Sequence, residues 1–447
     1  MKRRLLFLIV LVGLFGVVGA GGLFAYGVYR YGSVDGLIRR GQVAIAQLQP
    51  SEPVVVPTFV PEATVDAADF VADIEADTVE EEPTATPTFE LPTAQPIATS
   101  TESATAIPSA TPSPEPPTPT PTITPTPIYT PAASFVNLTG YRHNWQTWNN
   151  CGPATLATYL SYLGKWDTQV DTANFLKPNE LDKNVQVPEI VSYVQQRYPD
   201  LQVTALHNGS PETMKLLLSN GVPAMIQTWL EEDPDDGMGH YRFIVGFDEA
   251  ADEWIVSDSY VSTDVTSPYS GIRIDYQRMV DHWDVFGKIF VLIYPVEQTE
   301  LVQSIMGDNL DPNMNHQLAL AEYSQRLSDD ADNPFVWHTM GNLLLADDRP
   351  EQAAQAYDQA RAIGLPWRMF WYSFGVFEAY TAVGRYDEVI ELAQATIDSG
   401  GPGEELYYWI GIAQRNLGND AAAASAFNQA LYWNPSHKPS QQALQGG

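Results

Sequence analysis

Four residues have types and an order that allow covalent chemistry together: Gln146, Cys151, His240 and Asp258. Cys151 is the only cysteine in 447 residues. It stands in Asn-Asn-Cys-Gly-Pro-Ala, after which Leu156, Tyr159, Leu160 and Leu163 recur at the spacing of an amphipathic helix, with Gly164 as a stop. Pro153 suits a first helical turn, where its missing N–H costs nothing. Cys151 is therefore expected at a helix N-terminus, where free N–H groups and the positive end of the dipole favour a thiolate. A lone cysteine is more often a small buried apolar residue. Its company here argues for chemistry instead.

Gln146, just upstream, is placed to donate its amide to an oxyanion together with the N–H of Cys151. A base comes from far along the chain, in Gly239-His240-Tyr241-Arg242-Phe243-Ile244-Val245, where a histidine begins a strand-like run. A second such run, Trp254-Ile255-Val256-Ser257-Asp258, ends in a carboxylate. If the two runs pair as a hairpin, Asp258 can orient the His240 imidazole.

Gln-x4-Cys-Gly-Pro-Ala, then Gly-His-Tyr before a strand ending in Gly-Phe-Asp, then an aspartate closing the next strand, resembles the bacteriocin-processing, double-glycine-leader cysteine peptidases and their peptidase-like relatives. The resemblance implies a papain-like α+β fold over 135–296, with N-terminal helices followed by an antiparallel sheet. It also implies Cys151 as nucleophile, His240 as general base and acid, Asp258 as orienting carboxylate and Gln146 as oxyanion donor. Ser259 departs from the pattern, since proline often follows the aspartate in that family.

The elements that must position these residues follow in order. A helix is expected over Val187–Val194, a strand over Leu201–Leu206, and a helix from Pro211 capped by Ser210. Strands are expected over Val222–Trp229 and Lys288–Tyr294, and a linker over 297–315. From 316 to 447 the pattern is helical only and repeats. Trp337, Gly341, Ala353, Tyr357 and Ala360 recur as Tyr407, Gly411, Ala423, Phe427 and Ala430. Two periods separate the copies, and Tyr380, Gly384-Arg385-Tyr386 and Ala393 keep the frame between them. This resembles tetratricopeptide repeats, an all-α solenoid that implies a protein partner.

Upstream, Met-Lys-Arg-Arg precedes an uncharged run from Leu5 to about Val28, long enough to span a bilayer. Residues 1–30 are expected to be a single-pass transmembrane anchor with a cytoplasmic N-terminus and the folded domains outside. The alternative is a cleaved signal peptide around Val18-Gly19-Ala20 and secretion. Residues 31–134, rich in proline and threonine, are expected to be a juxtamembrane segment and disordered linker.

With 55 acidic against 23 basic residues, the formal charge of −32 argues against a nucleic-acid partner. One cysteine excludes an intrachain disulfide. His143, His207, His282, His316, His338 and His437 lack metal-ligand spacing, and neither cofactor nor metal is expected. The acidic run 231–236 lacks the spacing of a calcium loop and is expected to be solvated, with selection of basic substrates as a secondary role. Trp145 and Trp148 suit either a substrate cleft or packing under the Cys151 helix. Together these readings give a membrane-anchored extracytoplasmic cysteine peptidase acting on peptide or protein. The alternatives are an inactive peptide-binding or scaffold protein of the same fold, or an acyl transferase.

Overall fold

The computed structural model describes residues 65–79, 128–178, 184–231, 237–260 and 271–446. The expected membrane anchor, most of the Pro/Thr-rich segment and the acidic stretch 232–236 lie outside them. Among the described residues no helix is long and apolar enough to cross a membrane.

Apolar runs with β-branched and aromatic residues make an antiparallel sheet whose strands, in chain order, are β1 (Phe135–Asn137), β2 (Leu201–Leu206), β3 (Ala224–Glu231), β4 (Gly237–Asp248), β5 (Glu253–Asp258), β6 (Ile272–Asp275) and β7 (Phe290–Pro295). Their spatial order is β2-β7-β3-β4-β5-β6, with β1 pairing the end of β4. Each side of the sheet carries its own core. On one side, Leu156, Tyr159 and Leu160 of the helix Cys151–Tyr162 and Ile190 and Val194 of the helix Val187–Arg197 pack on Tyr241, Phe243 and Val245. On the other, Met214, Leu217 and Leu218 of the helix Pro211–Ser219 and Trp283 of the helix Tyr276–Asp284 pack with Ile244, Phe247 and Trp254. An irregularity between Ile244 and Gly246 breaks the period-two alternation. The extra residue lets Phe247 join the side of Ile244 instead of that of Val245.

The helices Gln169–Leu176 and Tyr276–Asp284 and the strands β1 and β6 add to the expected elements. The linker expected over 297–315 is instead largely helical. Thr299–Met306 forms a helix whose Val302 and Met306 are buried in the second core, which anchors it as part of the domain.

A longer helix, Pro312–Asp329, leads into three helix pairs: Pro334–Ala346 with Pro350–Ile363, Gly375–Ala382 with Tyr386–Gly400, and Glu404–Asn416 with Asp420–Trp433. A short helix, Lys438–Gln445, closes the array. The residues that recur in sequence meet in space. A Cβ on Gly341 would lie 2.7 Å from the Tyr357 ring, and one on Gly411 would lie 2.4 Å from the Phe427 ring. Glycine in the first helix of a pair is therefore what lets the aromatic of the second seat against its backbone.

The segment expected to be wholly disordered contains a folded piece. Ala67–Val79 is a helix, with the Asp66 carboxylate accepting from Ala68 N–H at 2.9 Å. Phe70 and Ile74, one turn apart, are both buried in the core of the repeats, and Phe70 meets the Trp337 ring at 5.1 Å. Arg349 donates to the Ile74 carbonyl at 3.2 Å. Acidic residues on the remaining face and proline on either side mask this helix in composition, yet two apolar residues at helical spacing are enough to dock it. Phe70→Ala should destabilise the repeats by about 3 kcal/mol, the usual cost of emptying a buried aromatic site. Amide exchange should show the loss first in Pro312–Asp329 and Pro334–Ala346, the helices that flank Phe70.

Candidate functional site

Cys151 is the first residue of its helix, follows Asn150, and has no side-chain cap at that end. The backbone here is tightly turned. Asn149 adopts φ 52°, and buried Lys177 donates to its carbonyl at 3.0 Å. The helix is pinned from its far side by Tyr159, whose hydroxyl donates towards the Pro223 and Ile293 carbonyls and accepts from Ile293 N–H. Gly152 permits close packing, since a Cβ there would meet Val185 at 3.2 Å and the Tyr241 ring at 3.4 Å.

Pairing of β4 with β5 sets the rest. Arg242 lies directly opposite Asp258, and His240 lies two residues along the same face of β4. The Asp258 carboxylate is fully buried. Its Oδ1 accepts from His240 Nε2 at 3.0 Å and from Tyr260 N–H at 2.8 Å, and its Oδ2 accepts from Arg242 Nε at 2.8 Å. With Nε2 facing Asp258, Nδ1 is the His240 nitrogen left for Cys151, whose thiol interacts with the imidazole. The structure thus brings Cys151, His240 and Asp258 into one chain of contacts.

Gln146 joins the same group by a different route. Its N–H donates to the Ser259 carbonyl at 2.9 Å, and the Ser259 hydroxyl donates to Gln146 Oε1 at 2.9 Å. This fixes the amide so that its NH2 is the end free of Ser259 and able to donate elsewhere. Ser259, the departure from the sequence pattern, therefore has a definite contact. Gln146 does not line the small cavity over the thiol, whose walls include Cys151, Gly152, Gly239, Tyr241 and Tyr372. Trp145 packs edge-on against His143, with ring centres 4.4 Å apart.

Burial alone would raise the Cys151 pKa. The hydrogen bond and charge of His240, the Tyr241 backbone and the charge of Lys177 outweigh it and bring the thiol down. Burial likewise opposes a charged imidazole, but Asp258 and Cys151 push His240 up to about 9. Asp258 is held well below the carboxylate range because His240 and Arg242 overcome its desolvation. A thiolate beside an imidazolium can attack a carbonyl carbon and then supply a proton to the group that leaves.

Comparison with known proteins bears on both parts of the chain. Residues 138–289 match the Peptidase_C39 like family. Residues 404–437 match the tetratricopeptide repeat. No curated protein matches the chain. Among solved structures, a C39-like peptidase from Bacillus anthracis aligns at 16% identity over 36% of this chain and 98% of its own, with a TM-score of 0.30. A double glycine motif protease from an AMS/PCAT transporter, solved in complex with the leader peptide, aligns at 15% identity over 37% and 95%, with a TM-score of 0.25. YrrB, a tetratricopeptide-repeat protein with an unusual peptide-binding site, aligns at 14% identity over 31% and 88%, with a TM-score of 0.18. The chain thus combines a C39-like antiparallel sheet with helices and a C-terminal tetratricopeptide region.

Arg242, Ser259 and Lys177 join the four sequence candidates only through tertiary contacts. Arg242 had one local signal, its place two residues after His240 on the same strand face. Arg242→Met should cost about 3 kcal/mol, since it leaves a buried carboxylate with one cation fewer. Chemical denaturation of the variant beside the parent protein checks this.

Proposed function

We propose that this chain is a cysteine peptidase anchored in a membrane by its N-terminal apolar run, with its folded domains on the extracytoplasmic side and a tetratricopeptide region that binds a protein partner. The observation that carries the catalytic reading is the contact chain from half-buried Cys151 through buried His240 to buried Asp258, with the thiol lowered and the imidazole raised. The C39-like sequence match over the same residues supports it.

The Cys151 thiolate attacks the peptide carbonyl carbon, and the C=O pair moves onto oxygen. Gln146 NH2 and the Cys151 N–H hold that oxyanion. Collapse breaks the C–N bond as His240 gives its proton to the departing amine, leaving a thioester on Cys151. Water then attacks the thioester carbonyl while His240 takes its proton. The second collapse releases the carboxylic acid and restores the thiolate–imidazolium pair. Asp258 keeps Nε2 engaged throughout, so that Nδ1 faces the sulfur. Arg242 keeps Asp258 ionised.

The folded-state values set the pH range. The reactive ion pair forms as pH rises through the lowered thiol value and is lost as the imidazolium deprotonates near 9, giving a bell-shaped rate with its alkaline limb there. The test is the pH dependence of Cys151 alkylation by iodoacetamide, beside hydrolysis of a fluorogenic peptide library. Alkylation should begin well below about 8.5, the free-thiol value, and His240→Ala should move its midpoint upward. Cys151→Ala should abolish hydrolysis, and Gln146→Ala should lower kcat by about 10²–10³. An ordinary thiol titration in both the parent and His240→Ala would reject the peptidase reading.

A further inference from the structure

The repeats reach the thiol. The cavity over Cys151 measures about 20 Å³, room for roughly one water molecule. Most of its walls belong to the sheet domain, but Tyr372 comes from the connection between the first and second repeats. The ring lies on the backbone beside His240, and a Cβ on Gly239 would stand 2.9 Å from it. Tyr372 is held there firmly. Trp229 and Phe286 of the sheet domain meet it edge-on at 6.3 and 6.2 Å. Gln186 donates to its carbonyl at 3.4 Å.

The helical architecture around Tyr372 is altered in the same place. The first and third repeats open on helices of 13 residues, whereas the second opens on one of 8, Gly375–Ala382. The residues before it form the 3-10 turn Trp367–Trp371 and then Tyr372. A second cavity of about 20 Å³ continues along the seam. It shares Asn184 with the first and is lined by Trp371, Phe374, Pro402 and Leu406 of the repeats.

We infer that Tyr372 is a specificity-determining residue of the Cys151 site, a wall lent by the repeats that admits a small group beside the thiol and excludes an aromatic one. This rests on reading the cleft as a peptidase site. It makes the tetratricopeptide region part of the substrate pocket.

Size-graded alkylation tests the wall without a natural substrate, because Cys151 is the only cysteine in the chain. In each reaction the thiolate displaces iodide and forms one S–C bond. Rates are measured on the full chain with iodoacetamide and with its N-benzyl derivative. The parent protein should disfavour the benzyl reagent far more than a free cysteine peptide does. Tyr372→Ala should raise the ratio of benzyl to parent reagent rates at least tenfold, Tyr372→Leu should raise it less, and Tyr372→Phe should retain the parent ratio. Tyr372→Leu keeps apolar volume in the seam and serves if Tyr372→Ala folds poorly. A ratio unchanged in both variants overturns the inference. So does a common rise for both reagents, which would mark a lid instead of a wall, or a parent ratio equal to that of the free peptide. The peptidase reading fails on a different readout, the pH midpoint with iodoacetamide.

Discussion

A buried carboxylate is the constraint on which the rest of the site depends. Asp258 has no contact with water, and an isolated charge there would be costly enough to protonate it. It stays ionised because His240, Arg242 and the Tyr260 N–H together occupy its oxygens. Those donors are in reach only in one register of β4 on β5, the register that sets Arg242 opposite Asp258. A slip by one residue would turn His240 and Arg242 to the other face of the sheet and leave the carboxylate unpaired. Electrostatics and strand pairing therefore select the same arrangement, and the arrangement leaves one imidazole nitrogen for Cys151.

Three of the candidate residues, which the structure brings near one another, each carry a local signal. Cys151 precedes a helical pattern, His240 opens an apolar run, and Asp258 closes one. The periodic recurrence of Gly341 and Tyr357 as Gly411 and Phe427 was legible for a related reason. A close contact between backbone and ring, repeated in each copy, constrains residue type at fixed spacing.

What stayed hidden is tertiary. Ser259 looks like any turn residue until Gln146 is found bonded to it on both backbone and side chain. Lys177 reads as a surface cation until the chain folds it under the Asn149 carbonyl. The helix Ala67–Val79 has only Phe70 and Ile74 to dock with, too few apolar residues to stand out against its acidic neighbours. Its partner surface lies more than 200 residues further along the chain. The helix Thr299–Met306 likewise reads as a connection because its pattern is short, while burial of Val302 and Met306 makes it part of the core.

The degeneracy of the middle repeat has the same kind of explanation, and it bears on how the two domains divide the work. A solenoid repeat keeps its pattern when it contacts only its neighbours in the stack. The middle copy has a further neighbour, because Trp229 and Val285 of the sheet domain lie in one continuous core with the repeats. The start of its first helix is given over to a turn that places Tyr372 on Gly239. Only glycine leaves room for that ring, so the Gly-His pair serves two contacts at once, the glycine to the repeats and the histidine to Cys151. A displacement of the repeats would be felt at the residue next to His240, and the two domains are coupled through packing at the cleft itself.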